Sequence, residues 1–65
     1  METGNIIQIN GRFGFEINPT KEVVKIHGGL VTLRTYPNKT GGLLSHLNES
    51  IHGIDMLEGR FTVIK

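Results

Sequence analysis

Cysteine and tryptophan are absent from this 65-residue chain, tyrosine occurs once and proline twice. Without cysteine there is no disulfide and no thiolate metal site. That fits a reducing compartment, so the expected location is cytoplasmic. Long apolar runs are lacking too. The longest fall far short of the roughly 20 residues of a membrane-spanning helix. The opening residues Met1-Glu2-Thr3-Gly4 are acidic and unlike a secretory signal. No membrane partner is expected. Asn38-Lys39-Thr40 and Asn48-Glu49-Ser50 then count as turn and helix residues rather than glycosylation sites.

One-sided charge is also missing. Seven Lys and Arg stand against six Asp and Glu, a net charge of +1. A dedicated nucleic-acid binder usually carries a larger basic excess. The length allows one domain, residues 1–65. A chain this short buries only about 60% of the surface its unfolded form exposes. With no disulfide available, stability must come from tight packing or from a second chain.

What is present is a period-two apolar pattern through the first half, the mark of strands. Asn5 to Ile9 and Arg12 to Ile17 flank Asn10-Gly11. A two-residue Asn-Gly turn would set Gln8 opposite Phe13. A loop of Asn10-Gly11-Arg12 would force Arg12 toward a left-handed conformation. A loop of Ile9-Asn10-Gly11 gives Gly11 the positive φ of a G1 bulge and sets Ile7 opposite Phe13, and this register is preferred. Asn18-Pro19-Thr20-Lys21 is a turn with proline at its second position. It would pair Phe15 with Val24 and Phe13 with Ile26. Gly28-Gly29 then makes a two-residue hairpin loop, pairing Ile26 with Val31 and Val24 with Leu33. These turns agree on one apolar face: Ile7, Phe13, Phe15, Val24, Ile26, Val31 and Leu33.

After Pro37 the period changes. Leu43, Leu44, Leu47 and Ile51 recur at helical spacing, with Gly53 as the stop. The tail reads either as a last hairpin, with Met56 opposite Phe61, or as a loop before one closing strand. A closing strand would pair with the first strand and cover its edge. The expected fold class is therefore α+β. A four-stranded antiparallel β-meander carries one short helix on its apolar face, followed by one or two C-terminal strands. The sheet either closes as a small SH3-like barrel or stays open beneath the helix.

The opposite face of the meander would carry Gln8, Arg12, Glu16, Lys25, His27, Thr32, Arg34 and Tyr36. This register brings Arg12 near His27, Lys25 near Thr32 and Glu16 near Arg34. The ordinary reading of such a face is solvated cross-strand charge pairing. The functional reading is a docking surface, with Arg12, Lys25, His27, Arg34, Tyr36 and Lys39 as the partner-binding residues.

Other motifs carry less. His46-x-x-Glu49-x-x-His52 offers imidazole and carboxylate on one helical stripe, but one helix rarely completes a zinc site, so no metal is expected. His27-Gly28-Gly29 reads as a turn-flanking histidine, because a general base needs an orienting partner. Lys39-Thr40-Gly41-Gly42 lacks P-loop spacing and reads as a helix cap. No serine has a credible base and no paired carboxylates stand out, so neither an enzyme nor a cofactor is expected. The sequence points to a small protein-binding module that docks on a larger protein. It would be an inhibitor, adaptor or assembly subunit, and its small size suggests a phage or mobile-element origin. A homodimer through the tail strand or sheet edge is also consistent with the pattern. The alternative is a small nucleic-acid-binding module using the polar face.

Overall fold

The computed structural model describes residues 1–37 and 48–65. Its strands are β1 (Ile6–Ile9), β2 (Arg12–Phe13), β3 (Glu16–Ile17), β4 (Thr20–His27), β5 (Leu30–Thr35), β6 (Glu49–Gly53) and β7 (Phe61–Val63). Five of them form one antiparallel sheet in the order β6-β5-β4-β1-β7, and β2 and β3 form a separate hairpin. The result is a mostly-β small domain with an open sheet. Among the described residues there is no α-helix, and no helix is long and apolar enough to cross a membrane.

The first expected hairpin is replaced by a different pairing. Ile7 lies opposite Lys21 on β4 and opposite Val63 on β7, not opposite Phe13. The physical reason is the burial available to β1. Between two strands, Ile7 and Ile9 become fully buried. Residues 12–17 instead fold on themselves, with Arg12 opposite Ile17 and Phe13 opposite Glu16. Gly14 takes φ +64 at the first position of their two-residue turn, as a type II′ hairpin requires.

A polar clasp closes the base of this hairpin. The Asn18 amide N–H donates to the Gly11 carbonyl at 2.8 Å. The Gly11 N–H donates to the Asn18 side-chain oxygen at 2.6 Å. Asn18 holds φ +49, a left-handed conformation that asparagine tolerates. Asn18→Ala should therefore lose about 1–2 kcal/mol, from the lost acceptor and the left-handed strain together. Asn18→Gly, which keeps the conformation, should lose less. Urea unfolding of the two variants measures the difference.

The Gly28-Gly29 turn forms as expected, with φ of +57 and +80. It pairs Ile26 with Val31 and Lys25 with Thr32. Closer to the other end of β4 the register departs from expectation. Val23, not Val24, lies opposite Leu33, because a β-bulge falls between Val23 and Lys25. The extra residue changes the strand's phase. Val23 becomes fully buried and Lys21 points to the same side, 5% exposed.

The expected helix is corrected over the residues that can be described. Glu49–Gly53 is β6, paired along β5 from Arg34↔Glu49 to Leu30↔Gly53. Ile51 therefore stands exposed opposite Thr32 instead of joining an apolar helical stripe. Leu43, Leu44 and Leu47 lie outside the described residues. A five-residue stretch fits either period, and the unpaired edge of β5 supplies the ladder that decides it.

Of the two tail readings, the closing strand is the one that forms. A short 3-10 turn, Ile54–Met56, leads to the buried Leu57, and β7 then pairs with β1. The core lies on one face of the sheet: Ile7, Ile9, Val23, Val31 and Leu33, covered by Leu57. Met1, Phe13, Ile26, Ile54 and Phe61 pack around it, half-buried. Phe15, Val24 and Ile17 are not part of this core.

Candidate functional site

The clasped hairpin leans over the core side of the sheet rather than lying in it. Phe13 sets its ring 4.6 Å from that of His52 on β6, tilted by 59°. From the other direction, the Arg60 guanidinium donates to the Arg12 carbonyl at 2.7 Å. These contacts enclose a cleft of about 540 Å³ between hairpin, sheet and the segment after the 3-10 turn. That volume lies within the usual range for small-ligand sites. Phe13, Phe15 and Met56 supply apolar wall, and Arg12, Lys21, Arg60, Ser50, His52 and Glu16 supply the polar groups.

The register explains how each polar group arrives. On β6, Ser50 and His52 are two apart and share the core face, while Glu49 and Ile51 face away. The Ser50 hydroxyl oxygen and His52 Nε2 are 2.6 Å apart. Lys21 reaches the cleft because of the phase set on β4, and its ammonium donates to Glu16 on β3 at 2.8 Å. Its side chain is almost wholly buried whereas that of Glu16 is half-exposed. Burial first, and the Lys21 charge second, hold the His52 imidazole below its ordinary pKa of 6.5.

A neutral His52 beside Ser50 has the spacing of a base and its hydroxyl. Nucleophilic catalysis also needs a group to orient the imidazole, and Glu16 is engaged by Lys21 instead. Ser50 and His52 thus present a hydroxyl and an imidazole side by side in the cleft, with no third hydrogen-bonding group on the imidazole among the described residues. Phe13 touches the His52 ring, and the charged groups that share its cleft among the described residues are Lys21 on β4, Arg12 on β2, Glu16 on β3, and Arg60. A folded pKa held below the unfolded one means stability is complete above about pH 6.5. It should fall as the pH drops through the lower folded pKa, because the unfolded chain takes the proton more readily. His52→Gln should flatten that part of the stability–pH curve, which urea midpoints between pH 5 and pH 8 will report.

The expected binding residues are divided by the structure. Lys25 and His27 share a shallow depression on the outer face with Leu30, Thr32 and Ile51. Arg34 is engaged in ion pairs with Glu22 at 3.2 Å and Glu49 at 3.5 Å, tying β4, β5 and β6 together. Its expected neighbour Glu16 is on the hairpin and pairs instead with Lys21 of β4. Tyr36 stands past the end of β5, where the Lys65 ammonium lies 5.7 Å from its ring centre. Arg12 lines the cleft and is not beside His27, which lies on the other side of the sheet. Lys39 lies outside the described residues.

Glu49 and His52 are on opposite faces of a strand and do not share the expected helical metal stripe; His46 lies outside the described residues. Among the described residues no cluster of three metal-ligating side chains occurs. Sequence reasoning missed Lys21, Ser50 and Arg60. The period-two spacing of Ser50 and His52 is the signal that finds two of the cleft's polar groups.

A second groove, of about 660 Å³, opens between Met1, Ile26, Ile54 and Phe61, with Asp55 and Glu58 at its rim. It offers apolar surface and two carboxylates but no convergent hydrogen-bonding array. Compared with protein-family models, with curated proteins and with solved structures, the chain matches none.

Proposed function

We propose that this chain is a small non-enzymatic protein-binding module that docks on a larger protein through the β2–β3 hairpin. The observation that carries this reading is Phe15. It occupies the hairpin turn with its side chain fully exposed, and Ile17 and Met56 are exposed as well. A large aromatic residue on a clasped two-stranded tip loses little conformational freedom on binding. Such anchors dominate interface energetics. Arg12 and Arg60 line the cleft behind it, and neither forms an ion pair with a carboxylate among the described residues. The partner surface that fits is an apolar pocket with an acidic rim.

The nucleic-acid alternative has less support. A backbone-tracking site needs cations along one continuous groove. Of the cations expected to form it on the polar face, Lys25 and Arg12 lie on different sides of the sheet, Arg34 is held by two glutamates, and Lys39 lies outside the described residues.

The docking surface reading is tested by parallel affinity capture with the wild-type chain, Phe15→Ser and the outer-face variant Lys25→Glu. The expected result is a stoichiometric partner retained by wild type and Lys25→Glu and lost by Phe15→Ser. Retention by Phe15→Ser and loss by Lys25→Glu would move the interface to the outer face. A wild-type chain that sediments as a dimer through the hairpin, and captures nothing else, would make a second copy the partner.

A further inference from the structure

The cleft behind the hairpin offers a second recognition chemistry, one that shares Arg12, Arg60 and Met56 with the proposed docking surface. Among the described residues, three cations, Arg12, Lys21 and Arg60, and one carboxylate, Glu16, line it. With His52 neutral, the excess is two positive charges. The most telling group is Lys21. Its residue is 5% exposed, its ammonium has three donors, and Glu16 is its one hydrogen-bond partner among the described residues. The Glu16 carboxylate offsets the cost of burying that charge, and of the three donors it takes one. Ser50 places a hydroxyl in the same cleft, and Phe13 and Met56 give it an apolar wall.

We propose that this cleft binds a small phosphomonoester carried on a flat ring. Lys21, Ser50 and Arg12 would hold the phosphate, and the ring would lie against Phe13. The charge decides between anions. A phosphomonoester carries about −1.5 to −2 at pH 7, which matches the excess of two, whereas a carboxylate supplies only half of it. Guanidinium and ammonium donors are the usual partners of phosphate oxygens. The ring requirement follows from a cleft of about 540 Å³, far larger than a phosphate alone fills.

The test is an amide-resolved NMR titration of the full chain with phenyl phosphate, inorganic phosphate and adenosine 5′-monophosphate. Phenyl phosphate should shift Phe13, Lys21, Ser50 and His52 and bind about tenfold more tightly than inorganic phosphate. Comparable affinity for the adenosine compound would assign the site to free nucleotides. Preference for phenyl phosphate would assign it to phosphorylated aromatic side chains. Arg12→Gln, an exposed change, should weaken either ligand about tenfold. Glu16→Gln, which removes the competing carboxylate, should strengthen it, the opposite sign from a loss of fold. Shifts confined to other residues, or Arg12→Gln and Glu16→Gln both binding as wild type does, would overturn the proposal.

Discussion

Leu57→Ala should remove about 2–5 kcal/mol of stability, enough to abolish a cooperative thermal transition. Among the described residues, Leu57 is the one fully buried core residue outside the strands, and it covers the five strand residues beneath it. It is also pinned in place. Its N–H donates to the Ile54 carbonyl at 3.0 Å, and Arg60 donates back to its carbonyl at 2.9 Å. Truncation would open a cavity over the sheet that a fixed backbone cannot collapse to fill. Domains of this size stand near the lower end of the usual range, about 5 kcal/mol, so little stability would remain. Leu57→Met, which preserves volume, should cost less than about 1.5 kcal/mol. Circular dichroism melts of the two variants check the pair. An alanine variant melting within a few degrees of wild type would show that Leu57 is not the cap of the core.

The second large effect concerns binding rather than folding. Phe15→Ser should weaken the partner complex by more than about 2 kcal/mol, roughly thirtyfold. The same change should leave the melting temperature almost unmoved, because surface substitutions generally stay within about 0.5 kcal/mol. This separation of effects follows from the geometry. Phe15 is fully exposed, and the hairpin beneath it is closed by Gly11 and Asn18 backbone and side-chain bonds that do not involve it. A melting temperature that fell with binding would make Phe15 a structural residue and remove the anchor.

The sequence carried the central hairpin of the sheet without ambiguity. Gly28-Gly29 permits one tight turn, and a single turn sets the partners of Ile26 and Lys25. It also put Gln8, Lys25, His27, Thr32 and Arg34 on one face, because strand alternation survives changes in strand order. Three features escaped it for distinct reasons. Asn10-Gly11 and Gly14 both carry turn chemistry, and local pattern does not reveal that β1 gains more by lying between β4 and β7. The bulge at Val24 leaves no signature in a run of β-branched and charged residues, yet it sends Val23 and Lys21 inward. Glu49–Gly53 is too short for its period to be read, so Ser50 and His52 looked like helix residues. The cleft is built from these three features together, which is why its residues were mostly hidden while the outer face was not.

The account rests on the hairpin tip as the contact point, and photo-crosslinking from that tip tests it most directly. A benzoyl-phenylalanine placed at position 15, and separately at position 27 on the outer face, would be irradiated in extracts of cells that express the chain. The account predicts one discrete crosslinked protein from position 15, its attachment point in an apolar pocket flanked by Asp or Glu, and none from position 27. The same adduct from position 27 alone would contradict it and place the interface on the opposite side of the sheet.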